Sequence, residues 1–342
     1  MGDIRIVGHT IAELSKGPGV LASYRDPFGY LTGFTAAWVD FLKENPAANR
    51  DDQALILAVD GDMVAGKLGM YASSASIDGT KHRTFWLSAF FLQDEYKLTG
   101  AGGLMLLKAI NHSKCLVLNG GPREDARALY LGTGFMELGP LRRHVYFCRT
   151  EVALRKLLRV PLLPSMLSVL TTPLLRLYYS TRRGPKSDLE FKPVGAFGNE
   201  IDSLLENRDG SYFPRDAATL NWVLRFRKNL SPFQIFREGQ CVGYCLLRTK
   251  GQSQSGPPHH LPAMRVGSLL DYYLYRGTYA DKNELIDFCL EFCRRARVDV
   301  FECQSLGDNL EKVCSSRGMV HLGGNRVFFR PPPGLRLSPQ TP

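Results

Sequence analysis

The sequence has no pair of cysteines separated by two residues, the spacing most typical of zinc knuckles. Its eight cysteines come closest at Cys241/Cys245 and Cys289/Cys293, and each pair lies inside an apolar run. Buried, reduced thiols are the expected state of such residues. Eight cysteines in 342 residues are also too few for a disulfide-dense fold. We therefore expect neither a metal site nor a disulfide framework.

Long uncharged runs are also scarce. The most apolar stretch, positions 161–175, has no charge, but it is short and is interrupted by three prolines. A helix that crosses a bilayer needs about 20 apolar residues. The first residues, MGDIRIVGHTIAEL, show no basic segment followed by an apolar one, so we expect no secretory signal. These features predict a cytoplasmic protein.

Acidic residues are the scarcer charge, with 33 Asp and Glu against 43 Lys and Arg. Residues 141–192 hold 11 lysines and arginines and three acids, so eight of the ten net positive charges lie there. Basic residues beside the apolar run 161–175 suit an anionic membrane surface or a tRNA, and a peripheral position at a membrane is one alternative. The other is a connector packed across two domains. Nothing in the pattern indicates the oligomeric state.

Two halves of the chain show the same order of elements. Each contains a hairpin signal, a further apolar strand, a helix, a short strand, another helix and a closing strand. Gly66 of the first half matches Gly243 of the second, and Gly134 matches Gly318 at a similar offset. We therefore predict an internal duplication of an α/β unit.

The expected domain boundaries follow from this match. The first domain is residues 1–150 and the second is residues 189–330. Residues 151–188 form a basic and apolar linker between them, and a disordered tail follows at 331–342.

Residues 92–103 form a glycine-rich stretch, Leu-Gln-Asp-Glu-Tyr-Lys-Leu-Thr-Gly-Ala-Gly-Gly, between a predicted strand and a predicted helix. Glycines let backbone N–H groups approach a diphosphate, and the helix N-terminus favours negative charge. A P-loop is excluded because Leu104 and Met105 follow the glycines instead of Lys and Ser or Thr. A dinucleotide fingerprint is excluded because Met105 replaces its third glycine and no acid follows about 20 residues later.

A second motif lies downstream. Residues 123–135 read Arg-Glu-Asp-Ala-Arg-Ala-Leu-Tyr-Leu-Gly-Thr-Gly-Phe, and residues 97–102 of the glycine loop read Lys-Leu-Thr-Gly-Ala-Gly. Together they resemble the GNAT acyltransferase superfamily, whose loop is Arg/Gln-x-x-Gly-x-Gly/Ala and whose later signature is Asn-x-x-Ala-x-x-Leu-Tyr-x-x-x-Gly-Phe. Lys97 departs from Arg/Gln, which keeps the cation but changes its donor geometry, and Arg123 departs from Asn. The motifs cover about residues 50–150, whereas residues 190–330 resemble the family only in the order of elements.

The resemblance implies an α/β (α+β) fold of two tandem GNAT-like domains, each a mixed, mostly antiparallel sheet flanked by helices. In the second copy, Arg-Gly-Thr-Tyr-Ala at 276–280 replaces the glycine loop, so that domain is expected to be degenerate. The implied activity of the first is transfer of an acyl group, acetyl in the first instance, from an acyl-coenzyme A to an amine or hydroxyl of a small-molecule acceptor.

The resemblance also assigns roles to residues. The coenzyme A diphosphate would rest on backbone amides of the glycine loop with a lysine nearby, and the pantetheine arm would pair with the strand before the loop. Tyr130 would protonate the leaving thiolate, while its plain role is a core aromatic. Asn119 would orient substrate or cap a turn, and His82 and His144 are the candidates for a general base. The residues expected to bind coenzyme A are Phe91, Leu92, Lys97, Leu98, Thr99, Gly100, Ala101, Gly102, Gly103 and Asn119.

Two other functions stay open. Tandem GNAT-like chains also resemble enzymes that take an aminoacyl group from charged tRNA, and the basic stretch 141–192 would then contact tRNA phosphates. A non-catalytic binding or scaffold module is the other alternative. The intact glycine loop at 100–102 argues against it, because an inactive copy has no need to keep such a loop.

Overall fold

The computed structural model describes residues 3–119, 124–149, 171, 187–206, 212–251, 264–305 and 308–334. Within these ranges no helix is long and apolar enough to cross a membrane. The chain divides into two compact units. Of the described residues, unit 1 takes those up to 140, those of 212–226 and those from 325 onward, and unit 2 takes the rest.

Unit 1 is built on a mixed sheet with the strand order β1-β2-β3-β4-β5-β12, in which only the β4/β5 pair is parallel. Its strands are β1 (Ile4–Thr10), β2 (Gln53–Asp60), β3 (Met63–Ile77), β4 (Thr80–Leu92), β5 (Leu116–Asn119) and the end of β12 (Val320–Arg330). Its helices are α1 (Ile11–Leu14), α2 (Ala36–Lys43), α3 (Ala101–His112), α4 (Glu124–Gly132) and α6 (Ala217–Phe226).

Unit 2 repeats this plan with the strand order β6-β11-β10-β9-β8-β7, in which only the β10/β11 pair is parallel. Its strands are β6 (Met136–Phe147), which begins in unit 1, and β7 (Leu189–Pro193), β8 (Leu230–Arg237), β9 (Gln240–Gly251), β10 (Arg265–Leu274) and β11 (Val300–Ser305). Its helices are α5 (Asn199–Glu206), α7 (Tyr279–Arg295) and α8 (Asp308–Ser316). The element order predicted for both halves is therefore present.

The units are not the contiguous segments expected from the sequence. The sheet of unit 1 is completed by β12, whose residues 327–330 pair with 119–116 of β5. The sheet of unit 2 contains residues 142–147 of β6, which pair with β11. The closing strand of each repeat thus contributes to the other repeat's sheet. The expected linker and tail lie largely outside the described residues.

Helix α6 is a further departure, because its sequence position falls inside the predicted second domain. It packs in unit 1, where the Trp222 indole stacks on Phe41 with ring centroids 4.3 Å apart. The Trp222 Nε1–H also donates to the Phe41 carbonyl at 2.7 Å. This basic and aromatic helix therefore packs on α2.

The core of unit 1 has two layers, one on each face of its sheet. Helices α3 and α4 cover one face, and the side chains buried there include Leu68, Phe85, Leu106, Tyr130 and Phe328. Helices α1 and α2 cover the other face, with Leu42, Leu55 and Leu57 among the buried side chains. In strand β2, Ile56 and Ala58 belong to the first layer and Leu55 and Leu57 to the second, as the two-residue period of a strand requires.

The matched glycines Gly66 and Gly243 occupy the same structural position in the two units. A Cβ on Gly66 of β3 would lie 2.8 Å from the Phe91 carbonyl oxygen of β4. A Cβ on Gly243 of β9 would lie 2.1 Å from the Tyr273 carbonyl oxygen of β10. In both units the pairing with the preceding strand, β2 or β8, shifts register at this position. The two glycines are thus explained by close backbone approach beside a bulge.

We expect Gly66→Ala to lower the free energy of unfolding by about 1–3 kcal/mol, because backbone atoms of β4 must move to admit the methyl group. Gly33→Ala is the matched control, since a Cβ there would meet nothing within 4 Å. Chemical denaturation of the full chain measures both changes. Equal effects of the two substitutions would contradict the close-approach explanation.

Candidate active site

Strand β4 has a bulge between the residues that pair with β5 and the start of the glycine loop. The parallel pairing of the two strands covers Phe85–Leu87 of β4 and ends at the Leu87/Leu118 pair. Two residues later Ala89 has a φ of 51°, a left-handed conformation that is rare for alanine, and the β3/β4 register shifts close to this place. Phe91 and Leu92, where pantetheine is expected to bind, lie beyond this bulge and, within the described part of the chain, pair only with β3.

The N-terminus of α3 lies against the part of β4 that follows the bulge. Gly100 precedes the helix with a φ of 82°, no side chain caps the helix, and its first turn contains no acidic residue. The N–H groups of Gly102 and Gly103 have no acceptor among the residues that the structure describes. Free N–H groups and the positive end of the helix dipole together make an anion-binding site. The local geometry therefore fits a diphosphate.

Small side chains keep the first turn of α3 close to its neighbours. A Cβ on Gly102 would lie 3.5 Å from Phe90 and 3.7 Å from Leu92 and Leu129, and a Cβ on Gly103 would lie 3.6 Å from Leu129. Ala101 is buried in the core. The loop is thus held between β4 and α4, as the glycine pattern predicts.

Three residues before the helix complete the loop. The Lys97 ammonium pairs with the exposed Asp94 carboxylate, so its charge is partly balanced. The Thr99 hydroxyl donates to the Tyr96 carbonyl at 2.7 Å and accepts from the Ala101 N–H at 3.3 Å, which fixes the turn. The Leu98 side chain is 100% exposed. Of the residues expected to hold the diphosphate, 97–103 are thus brought together at one helix end.

Tyr130 lies on α4 with its side chain 2% exposed. Its ring packs against Phe90, Phe135 and Phe328, with centroids 6.1, 5.6 and 5.6 Å away. Burial raises the pKa of the Tyr130 phenol well above its usual range, so the hydroxyl keeps its proton at neutral and alkaline pH. Tyr130 thus lies in the core and also contacts Phe90 beside the β4 bulge. This position is compatible with both roles considered for Tyr130, a core aromatic and a proton donor.

The two histidines do not join this constellation within unit 1. His82 lies near the start of β4, nine residues before Phe91, which is about 30 Å along an extended strand. His144 belongs to unit 2, where its Nε2 is 3.0 Å from the Ser305 hydroxyl and its side chain is 1% exposed. Burial, opposed by the nearby Glu311 carboxylate, lowers the pKa of His144. His82 is therefore far from the glycine loop along its own strand, and His144 belongs to the other unit.

Asn119 ends β5, where its backbone pairs with Val327 of β12. It therefore lies one residue beyond the last β5 residue that pairs with β4. Arg123, which opens the downstream motif, lies outside the described residues.

The matching position in unit 2 is closed by its own side chains. Helix α7 begins with a capping box in which the Asp281 carboxylate accepts from the Thr278 N–H at 2.7 Å and from its hydroxyl at 2.9 Å. Arg237 forms an ion pair with the same carboxylate. Although burial alone would raise the pKa of Asp281, these partners hold it below its usual range. The helix end that is open in unit 1 is thus filled by a carboxylate in unit 2.

Within the basic stretch 141–192, the described cations all have acidic partners. Arg142 pairs with Glu311, Arg143 with Glu302, Arg149 with Asp299 and Lys192 with Glu190. The other cations of the stretch lie outside the described residues, as does the apolar run apart from Thr171. The described part of the stretch is therefore a set of ion pairs.

Two groups of residues at the site were not predicted from the sequence. Phe90 and Phe328 pack on Tyr130, and Phe328 comes from β12, near the other end of the chain. On the opposite face of β4, Phe91 contacts Tyr30 with centroids 4.5 Å apart, and Trp86 contacts Phe213 at 5.1 Å. Aromatic content alone is not a signal for such contacts, since most of the partners are distant in sequence.

Among the described residues no group of three or more His, Cys, Asp or Glu side chains is arranged to hold a metal ion. All eight cysteines are free. Cys245, Cys289, Cys303 and Cys314 lie in the core of unit 2, as expected of buried thiols.

No protein-family model matches the sequence, and no curated protein matches it significantly. Solved structures do match its fold at low sequence identity. A GCN5-related N-acetyltransferase from Anabaena variabilis aligns with a TM-score of 0.56 and 13% identity, covering 96% of this chain and 72% of that chain. A probable N-acyltransferase from Enterococcus faecalis aligns with a TM-score of 0.54 and 12% identity, covering 96% and 72%.

A third match is an N-myristoyltransferase from Saccharomyces cerevisiae, whose structure was determined with bound myristoyl-CoA and inhibitors. It aligns with a TM-score of 0.60 and 10% identity, covering 96% of this chain and 80% of that chain. These matches confirm the predicted fold class. The chain has the GNAT fold, built as two units that each carry a mixed, mostly antiparallel sheet flanked by helices.

Proposed function

We propose that the protein transfers an acyl group from an acyl-coenzyme A to an amine or hydroxyl of a small-molecule acceptor, using the site in unit 1. The observation that carries the proposal is the N-terminus of α3 beside the β4 bulge, where the N–H groups of Gly102 and Gly103 have no acceptor in the described part of the chain. An open, acid-free helix end suits the diphosphate of coenzyme A. The fold neighbours include an enzyme solved with myristoyl-CoA, which supports an acyl-coenzyme A as donor.

In the proposed reaction, the acceptor nitrogen or oxygen attacks the carbonyl carbon of the thioester. A C–N or C–O bond forms, the C–S bond breaks, and the thiolate leaves. The Tyr130 hydroxyl, which burial keeps protonated, would donate its proton to the sulfur. The proton of the attacking group passes to water, since no histidine is placed at this position among the described residues of unit 1. Tyr130 then regains its proton from solvent.

The packing beside the β4 bulge favours a short acyl group such as acetyl. Phe90 and Phe328 contact the Tyr130 ring with centroids 6.1 and 5.6 Å away. Three aromatic side chains in contact leave little room for a long chain between β4 and α4. Acetyl-coenzyme A is therefore the donor to test first.

The acceptor would approach from the opposite face of β4, which is partly open. Phe91 and Phe28 are 42% and 59% exposed there, and both contact the Tyr30 ring. Ser88 lies between this aromatic group and Trp86 further along the strand. An aromatic-lined face with a polar gap suits a small molecule better than an extended polymer.

The direct test is calorimetric titration of the purified chain with coenzyme A and acetyl-coenzyme A, followed by mass spectrometry for acetylated products in a panel of small amines and sugars. We expect micromolar binding of both coenzymes and a product in the panel. No binding by well-folded protein would contradict the proposal.

Transfer from aminoacyl-tRNA is not favoured by the described residues, because Arg142, Arg143, Arg149 and Lys192 are all ion-paired. Charged tRNA is the next ligand to titrate if coenzyme A fails to bind. Salt-sensitive binding of tRNA without coenzyme A binding would select that alternative. Binding of neither would select the scaffold module.

A further inference from the structure

Helix α3 presents leucines to solvent on the side that faces away from the sheet. Its inner side is formed by Met105, Leu106, Ala109 and Ile110, all of which are buried. On its outer side Leu104 and Leu107 are 50% and 48% exposed, and Leu98 in the preceding loop is fully exposed. Leu104 and Leu107 are neighbours because residues three apart share a helix face. We call Leu98, Leu104 and Leu107 the leucine face.

Three cations without acidic partners among the described residues lie on α3 or at its C-terminal end: Lys108, Lys114 and Arg330. Lys108 follows Leu107 directly and donates to the Ile6 carbonyl at 3.4 Å. Arg330 donates to the Thr133 and Lys114 carbonyls, so its guanidinium and the exposed Lys114 lie close together at the C-terminal end of α3. None of these three cations forms an ion pair with a carboxylate in the described part of the chain. Acidic residues are absent from the sequence between positions 96 and 123.

The acids nearest to the leucine face in sequence are Asp94 and Glu95. Asp94 is already paired with Lys97. Both carboxylates raise the pKa of Tyr30, a residue that contacts Phe91 on the opposite face of β4, although burial is the larger cause of that rise. Leu104 and Leu107 thus lie next to Lys108, a cation that forms no ion pair in the described part of the chain.

We propose that the leucine face docks on an anionic lipid bilayer, with Leu98, Leu104 and Leu107 entering the interfacial region and Lys108, Lys114 and Arg330 contacting lipid phosphates. Exposed leucines beside lysines are the combination that binds such surfaces, since apolar burial and attraction to anionic headgroups add together. A bilayer is favoured over an acidic protein because the leucines form a convex helix side with no groove for a partner's side chains. These residues are not part of the basic stretch 141–192, and the proposal goes beyond acyl transfer.

Co-sedimentation of the full chain with lipid vesicles tests the proposal without any coenzyme. We expect the protein to bind vesicles of phosphatidylcholine mixed with phosphatidylglycerol, to bind pure phosphatidylcholine weakly, and to lose binding as salt is raised. Leu104→Gln/Leu107→Gln should weaken binding to the mixed vesicles at least about tenfold. Lys108→Gln/Lys114→Gln should weaken it about fivefold or more and leave the residual binding to neutral vesicles unchanged.

The matched control is Val320→Gln/Leu322→Gln in β12, whose side chains are 45% and 46% exposed in unit 2. This variant should bind like the wild type. Failure of the wild type to bind anionic vesicles would overturn the proposal, as would equal losses in the control and the α3 variants. A self-associating wild type that the α3 leucine changes make monomeric, with no vesicle binding, would assign the face to a second copy of the chain instead.

The same variants separate this inference from the proposed enzymatic function. Leu104 and Leu107 are not among the residues placed in the donor site, so Leu104→Gln/Leu107→Gln should bind coenzyme A like the wild type. Loss of vesicle binding with intact coenzyme A binding supports docking through this face. Failure of coenzyme A binding in the wild type would count against acyl transfer and leave the vesicle result unaffected.

Discussion

Replacing Gly100 with aspartate is expected to weaken coenzyme A binding about 30- to 100-fold. The new carboxylate would stand at the open N-terminus of α3, beside the free N–H groups of Gly102 and Gly103. It would repel the diphosphate, and about 2–3 kcal/mol of repulsion is reasonable for charges a few ångströms apart near a protein surface. It would also accept hydrogen bonds from the same amides. Calorimetric titration of the variant measures the loss.

Gly100→Asn is the control that separates charge from backbone strain. Gly100 has a φ of 82°, and asparagine and aspartate tolerate this conformation about equally well. A Cβ at this position would meet nothing within 4 Å. The two variants should therefore unfold at similar temperatures, while only the aspartate variant loses most of its affinity. Equal affinities in the two variants would show that the diphosphate does not bind at this helix end.

Tyr130→Phe is expected to lower kcat by about two to four orders of magnitude, the usual contribution of a positioned acid. The substitution removes only the hydroxyl and keeps the ring contacts with Phe90, Phe135 and Phe328. KM and the free energy of unfolding should therefore change little. Steady-state kinetics with acetyl-coenzyme A and thermal unfolding of the same preparation distinguish a lost proton donor from a damaged core.

The pH profile adds a readout that a purely structural role would not affect. Because burial raises the pKa of Tyr130 well above its usual range, the wild-type hydroxyl stays protonated through neutral and alkaline pH. The wild-type rate should therefore not decline toward about pH 9 through loss of this proton. Tyr244→Phe, which removes the hydroxyl of a buried tyrosine in unit 2, serves as the matched control and should leave kcat unchanged. An unchanged kcat in Tyr130→Phe would assign this tyrosine to the core alone.

The strand, glycine loop and helix at residues 92–103 were predictable because their signal is local. Residues 92–103 combine the end of a strand, glycines at defined spacing and the start of a helix, all within one short stretch. The loop needs no distant residue to be recognised as a phosphate site. The order of elements in both halves was predictable for the same reason, since hydrophobic periodicity and turn residues act over a few positions.

The partners of the site were not predictable because they are distant in the chain. Phe328 reaches Tyr130 from β12, and Phe213 reaches Trp86 from a segment that falls within the second copy in sequence. Strand pairing depends on backbone hydrogen bonds, which carry little sequence signal beyond the alternation of side chains. The observed units differ from the expected domains for this reason. The sequence pattern places β6 and β12 at the ends of their own repeats, but each strand pairs in the sheet of the other unit.

The second unit shows what a motif comparison leaves out. The lack of a glycine loop at 276–280 predicted a lost diphosphate site. The structure adds the physical reason, because Asp281 fills the helix end that the diphosphate would need, with support from Thr278 and Arg237. A capping box has only a short sequence signature. Only the comparison with α3, which has glycine at its N-cap, shows that a side chain occupies the equivalent helix end in unit 2.

The placement of β12 has a consequence for synthesis on the ribosome. Strand β5 ends at Asn119, and its partners, positions 327–330, are made only near the end of the chain. At about 5–20 residues per second, about 10–40 s pass between the synthesis of β5 and the synthesis of the strand that completes its sheet. During that interval the backbone groups of β5 are available to other extended chains. Unit 1, for which we propose donor binding, is therefore completed only after the residues of unit 2 have been translated.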